Sequence, residues 1–156
     1  MLYNAIVKPN FDYCDIVWGN CSKSTFEKVF RIQKRASRIL TGAPYCAHSE
    51  PLFKQLRWNS LMRNIEFHKC VLIFKALNNL TPAYIRDKLV YTSEVASRST
   101  RSTSKCHLYI PKPKITAYHH SFSYSGPHLW NLLPENVRLV PSLATFKSRY
   151  WKHVNG

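Results

Sequence analysis

The amino-acid sequence predicts a mainly α-helical protein: a helical domain over residues 1–91, a Ser/Thr-rich linker over residues 92–105, and a small irregular and helical segment over residues 106–156. Three observations predict this fold class. Hydrophobic residues make up 45% of the 156 residues and aromatic residues 13%, enough for a packed core. Residues 22–42 separate apolar from basic side chains at helical spacing. Apolar residues surround the helical wheel over residues 59–80.

The first element, residues 2–21, mixes apolar and polar residues at near-helical spacing, with Pro9 inside it. Proline removes a backbone hydrogen bond and kinks or ends a helix, so we expect a kinked helix or two short ones. No good capping residue precedes Leu2, and this predicts a chain that begins in mid-element, with an upstream portion missing.

The clearest helix lies within residues 22–42. Ser24 and Glu27 have the spacing of a capping box, and Gly42 is a typical C-terminal stop. One half of the helical wheel holds the apolar residues that we expect to be buried: Phe26, Val29, Phe30, Ile32, Ala36, Ile39 and Leu40. The other half holds five basic residues, with no acid expected among them: Lys28, Arg31, Lys34, Arg35 and Arg38.

Three further helices are predicted in the helical domain. Residues 48–58 indicate a short helix, and residues 81–90 another, with Pro82 near its first turn. The long helix over residues 59–80 has apolar residues nearly all the way round, which is typical of a helix in the middle of a bundle.

The amino-acid composition changes after residue 91. Eight of the fourteen residues in 92–105 are Ser or Thr, which indicates a linker or exposed loop. Prolines favour an extended conformation over residues 106–115. Beyond it we expect a turn at Gly126-Pro127 with a short helical segment, and a terminal helix capped by Ser142.

Charge is the most informative part of the composition. Twenty-three Lys and Arg residues face eight acids, a formal net charge of +15. So large an excess favours an anionic partner, nucleic acid first and an anionic membrane surface or acidic protein after it. No apolar run approaches the roughly 20 residues of a membrane span, and the N-terminus lacks the pattern of a signal peptide. We therefore expect no membrane partner, an intracellular location (nuclear or cytoplasmic, not secreted), and free thiols for the five cysteines.

The sequence gives no pattern for catalysis, cofactor or metal. The only close acidic pair, Asp12 and Asp15, is expected to be solvated at a helix end rather than to bind a catalytic ion. The four glycines are isolated, so no phosphate-cradling loop is indicated. The cysteines and histidines lack the spacing of a zinc site, and the thiols are expected to be mostly buried. We expect no cofactor and no small-molecule substrate. Six aromatic residues could stack on bases, although core packing is the commoner role: Tyr13, Trp18, Tyr118, Phe122, Tyr124 and Trp130.

The basic side of the predicted helix within residues 22–42 is the candidate site. A solvated face that only keeps the protein soluble would usually intersperse charges of both signs. Five cations without an acid instead favour binding to phosphate backbones, about two to one. Five phosphate contacts on B-form DNA would give a log–log salt slope of about −4.5. Such contacts supply affinity but read no base sequence.

Three segments taken together carry a family resemblance. They are "LYNAIVKPNFDYCDIVWGN", then "KVFRIQKRASRILTG", and much later "SFSYSGPHLWNLLPENVR" with "FKSRY". In this order and spacing they resemble the C-terminal portion of reverse transcriptases of non-LTR retrotransposons, the LINE-type, jockey-like group. The first two segments resemble the region just after the polymerase palm, where the thumb lies, and the last resembles the extreme C-terminal part.

The resemblance implies a thumb-like helical bundle from a parent RNA-directed DNA polymerase, one that grips the RNA–DNA template–primer backbone beside an upstream palm domain. The family's catalytic aspartates and its aromatic-x-Asp-Asp motif have no match in this chain, and neither does the zinc knuckle of some relatives. The chain alone is therefore expected to be no enzyme, and the missing N-terminal cap agrees with a truncated reading frame. The alternative is a domesticated stand-alone protein that acts as a nucleic-acid-binding adaptor or a protein-interaction module.

Overall fold

The computed structural model describes residues 3–95 and 106–155, and over these ranges the protein is mainly helical, as the sequence predicts. The chain divides into two compact units, residues 1–66 and residues 67–156, which are described separately below. The predicted linker is covered only as far as Val95, because residues 96–105 lie outside the described ranges. The division at residues 91 and 105 stays a prediction.

The first unit opens with a π-helical turn over Tyr3–Val7. Four α-helices follow: α1 (Lys8–Asp12), α2 (Asp15–Trp18), α3 (Lys23–Thr41) and α4 (Ser49–Leu56). The expected interruption of the N-terminal segment is confirmed, but the break does not fall at Pro9. Pro9 lies in the first turn of α1, which continues directly from the π-helical turn because Val7 also has a helical backbone conformation. The chain breaks instead at Cys14, whose φ of 51° is left-handed.

The N-cap of helix α3 lies two residues before the predicted cap at Ser24. Ser22 is its N-cap, and the Ser22 Oγ accepts a hydrogen bond from the Thr25 N–H at 3.3 Å. Ser24 lies inside the first turn, so the predicted capping box is wrong. Gly42 ends the helix as predicted, because its φ of 65° is a conformation that side chains with a Cβ rarely adopt.

The buried stripe of α3 is narrower than half of the helix. Phe26, Gln33 and Ser37 are buried, whereas Ile32, Ile39 and Leu40 are 54%, 70% and 54% exposed. The prediction that these three aliphatic side chains are buried is therefore wrong. A helical wheel orders residues around the axis, but it does not say how wide an arc the neighbouring helices cover.

The core of the first unit is rich in aromatic residues and includes residues from the start of the long helix α5 (Leu61–Leu77). Its buried apolar members are Tyr3, Phe11, Phe26, Leu61 and Ile65. The ring of Tyr3 stacks on Trp58 with centroids 3.7 Å apart. Burial raises the pKa of Tyr3 above its ordinary value of 10.0, because a charged phenolate would be poorly solvated there.

The second unit contains the rest of α5 and six further helices. They are α6 (Ala83–Arg86), α7 (Thr92–Val95), α8 (Thr116–His119), α9 (Phe122–Leu132), α10 (Glu135–Arg138) and α11 (Leu143–Asn155). No residue of α5 from Asn64 to Leu77 is exposed, which confirms the prediction over these residues, whereas Met62 and Arg63 in the first turn are exposed. Over the described ranges, no helix has both the length and the apolar character that crossing a membrane requires.

Phe146 of α11 lies at the centre of the second core and is fully buried. Its ring stacks on Phe74 of α5 at 4.7 Å and on Trp130 of α9 at 5.7 Å between centroids. The extended residues after the predicted linker join this core through one antiparallel pairing of Leu108 with Tyr91. Ser142 caps α11 as predicted, since its Oγ accepts from the Thr145 N–H at 3.2 Å.

Gly126 and Pro127 form no turn but lie inside α9, which corrects the predicted turn. Pro127 costs the helix one backbone hydrogen bond. Both residues are buried, and a Cβ added at Gly126 would lie 3.1 Å from Ile73 Cδ1. The missing side chain lets α9 approach α5 closely, and this packing outweighs the local preference for a turn.

Candidate nucleic-acid interface

Three cations of α3 are exposed and uncompensated. Lys28, Arg31 and Arg35 lie on one side of the helix, at intervals of three and four residues. None of them forms an ion pair with a described residue, and none is hydrogen-bonded to one. These residues are called the exposed trio below, and their charges are available to a ligand.

Lys34 belongs to the same side of α3 but has an acidic partner. Its Nζ lies 3.6 Å from Glu27 Oε2 and 4.1 Å from the centre of the Phe30 ring. The expectation of a face without an acid is therefore wrong at Glu27. This pairing was predictable from the sequence, because Glu27 and Lys34 are seven residues apart and such residues lie on one face of a helix.

Arg38, the fifth predicted cation, also supports the local fold. Its Nε donates to the Ala47 carbonyl at 2.9 Å, which ties the loop after Gly42 back onto α3. Its guanidinium lies 5.7 Å from the centre of the Tyr45 ring. Arg38 is only half-exposed, so it can offer its remaining N–H groups to a ligand but cannot be replaced without disturbing the loop.

The accessible surface of α3 is mixed rather than purely cationic. Ile32 and Ile39 alternate with Lys28 and Arg35 along one stripe, at intervals of four, three and four residues. Tyr45 adds an aromatic ring beside Arg38 and is 87% exposed; it was not among the aromatic residues considered from the sequence. A ligand on this surface would therefore meet positive charge, aliphatic side chains and one ring.

The aromatic residues considered for base stacking mostly fill the two cores. Trp130 is 3% exposed, and Phe122 packs against the core of the second unit. Trp18 packs in the first core and donates its Nε1–H to the Tyr13 carbonyl at 2.8 Å. Tyr118 and Tyr124 are half-buried. Only Tyr13, 77% exposed, presents an open ring among the six.

Two expectations about acids and thiols need correction. Asp15 is only 3% exposed at the start of α2, so it is not solvated, whereas Asp12 pairs with Lys8 at 3.3 Å. All five cysteines are free, as expected, but most are not buried. Cys70 alone is buried, Cys21 is intermediate, and the other three are exposed.

Helix α11 carries a second cationic surface that the sequence analysis missed. Phe146 and Tyr150 form its buried side, while Lys147, Arg149 and Lys152 are exposed. No acid occurs between Leu143 and Asn155, and this absence was readable from the sequence. Arg149 Nη1 donates to the Asn136 carbonyl at 2.6 Å, so only part of its donor set is free.

Searches of protein-family models, curated proteins and solved structures give no match to this chain.

Proposed function

We propose that this chain binds nucleic acid through the phosphate backbone, and that the side of α3 with Lys28, Arg31, Lys34, Arg35 and Arg38 is the contact surface. The exposed trio carries the proposal. Three cations in register on a rigid helix, without acidic partners, can each meet a phosphate at little cost in desolvation or rearrangement.

The chemistry of the trio suits phosphate. An arginine guanidinium can donate two parallel N–H groups to one phosphate, and Arg31 and Arg35 lie one helical turn apart. The contacts would fix the position of the strand without reading its bases. DNA and RNA backbones should therefore both bind, with affinity that falls steeply as salt increases.

The role we propose is that of a thumb-like part of a non-LTR retrotransposon reverse transcriptase, lacking the catalytic palm. The resemblance of three ordered segments supports this role, and the helical fold agrees with a thumb. The chain would hold the RNA–DNA template–primer for a palm encoded upstream. It would not extend a primer alone, because the aspartates of the family's catalytic motif have no counterpart in its sequence.

A second candidate function is a protein-interaction adaptor, and the exposed isoleucines favour it. Ile32 and Ile39 lie between the cations, and a phosphate strand leaves such aliphatic groups without a partner. An acidic amphipathic helix could cover both kinds of side chain at once. Competition by heparin distinguishes the two candidate functions. Heparin is a polyanion without apolar groups, so it should displace bound nucleic acid fully but should displace an amphipathic protein partner only in part.

The test is a charge reversal with a matched control. The variant Lys28→Glu, Arg31→Glu, Arg35→Glu should lose retention on both DNA and RNA while its helicity, by circular dichroism, stays unchanged. The control Lys54→Glu, Arg63→Glu, Lys88→Glu changes the net charge equally, but its exposed sites are scattered along the chain. Equal loss in both variants would mean that total charge, and not α3, holds the nucleic acid.

A primed RNA template tests the reverse-transcriptase role separately. We expect salt-sensitive binding of the template–primer by the purified chain and no extension of the primer by added deoxynucleotides. Extension that persists through purification of the chain would overturn the assignment as a non-catalytic part.

A further inference from the structure

Tyr45 is the most exposed large apolar or aromatic side chain in the described parts of the protein. It belongs to neither of the two cores. An aromatic ring stabilises a fold when it is buried, so a ring left in water contributes little to stability. Single exposed apolar residues are ordinary at protein surfaces, and the surroundings of Tyr45 therefore decide whether it forms part of a site.

The segment that carries Tyr45 is held in place by hydrogen bonds. The Ala43 N–H donates to the Arg38 carbonyl at 3.0 Å, at the end of α3. The Ala47 N–H donates to the Pro44 carbonyl at 3.0 Å and closes a turn in which Tyr45 is the second residue. The Arg38 Nε donates to the Ala47 carbonyl at 2.9 Å. Because the segment is fixed before a ligand arrives, the ring can bind with little loss of conformational entropy.

Positive charge lies beside the exposed ring. The Arg38 guanidinium is 5.7 Å from the centre of the Tyr45 ring, within the roughly 6 Å of a cation–π contact. Arg35, a member of the exposed trio, precedes Arg38 by three residues, which is about 4.5 Å along the helix axis. The end of α3 thus presents an aromatic ring for a flat apolar group next to cations for phosphate. A nucleotide of an open strand offers both groups.

We infer that Tyr45 is a stacking site for one base of a single-stranded nucleic acid, whose adjoining phosphates lie on Arg38 and Arg35. The bases of a duplex are stacked on one another, whereas those of a single strand can leave the stack and pack on an aromatic side chain. Every base has a π-face, so the contact adds affinity without reading sequence. A template–primer also contains such a strand, in the template beyond the primer. The inference rests on the proposed nucleic-acid binding and names the form of nucleic acid that the surface accepts.

The test compares three DNA probes of equal length by fluorescence anisotropy: a single strand, a duplex, and a single strand whose nucleotides are abasic. Tyr45→Ala should weaken binding of the ordinary single strand about five- to 100-fold, the effect of removing the platform for one base. It should leave the affinities for the duplex and for the abasic strand unchanged, since neither offers a free base. Tyr45→Phe keeps a π-face and should bind all three probes as the wild type does.

Tyr84→Ala is the matched control, because it removes a ring of α6 that is also exposed. It should leave all three affinities unchanged. The inference is wrong if Tyr45→Ala binds the ordinary single strand as tightly as the wild type, or if it loses affinity equally for all three probes. Either result leaves the phosphate-binding proposal standing. Failure of the wild type to bind any probe would overturn both.

Discussion

At the scale of single residues, the amide of Gln33 decides which side of α3 is buried. Its Nε2 donates to the Asn59 carbonyl at 3.0 Å, and its Oε1 accepts from the Leu61 N–H at 2.9 Å. The Leu61 N–H is among the first of α5 and has no partner within that helix. Burying a polar side chain here is favourable because both of its ends are paired, and it turns the exposed trio outward.

Gln33→Leu should therefore destabilise the protein although it adds an apolar side chain to a buried position. It leaves two backbone groups without partners, each costing about 1–3 kcal/mol. Chemical denaturation followed by circular dichroism measures the change. Gln55→Leu, an exposed site on α4, is the control and should change stability by no more than about 0.5 kcal/mol. If the two variants are equally stable, Gln33 does not hold α3 in place.

At the scale of the element, α3 has a cationic surface whose positive charge is reduced by one acid of the same helix. Glu27 pairs with Lys34, and the pair is partly exposed, so its contribution to stability is small. We expect a larger effect on the proposed binding, because the carboxylate would compete with phosphate for Lys34 and repel an approaching strand.

Glu27→Gln should raise the affinity for duplex DNA severalfold and steepen the log–log salt slope by about 0.9, one additional phosphate contact. Fluorescence anisotropy at several salt concentrations measures both quantities. Glu50→Gln removes an exposed acid from α4 with the same change in net charge, and it should leave the slope unchanged. A steeper slope in both variants would show that Lys34 makes no specific contact.

Two helix ends were predictable because they depend on neighbours along the chain. The αL stop at Gly42 and the cap at Ser142 both follow from local chemistry. The helical conformation at Gly126-Pro127 does not follow from local chemistry. It is maintained by close packing of α9 against α5, which only the folded chain reveals. The exposure of Ile32 has the same origin, because tertiary contacts set the width of the buried arc.

At the scale of the whole molecule, charge alone cannot locate the site. Residues 1–66 contain ten basic residues and five acids, whereas residues 67–156 contain thirteen basic residues and three acids. The second unit is thus the more basic, and α11 presents its own exposed cations. The candidate site on α3 was predictable as a pattern, but the state of each cation was not. Lys34 is paired, Arg38 holds a loop, and the other three have no partner among the described residues.

The salt dependence of binding tests the central claim most directly. The observed association constant for a short duplex is measured against salt concentration for the wild type, the Lys28→Glu, Arg31→Glu, Arg35→Glu variant and the scattered Lys54→Glu, Arg63→Glu, Lys88→Glu control. Loss of three phosphate contacts should make the slope of the first variant shallower by about 2.7, while the control keeps a slope near that of the wild type. Equal slopes for the two variants would contradict a phosphate-binding surface on α3.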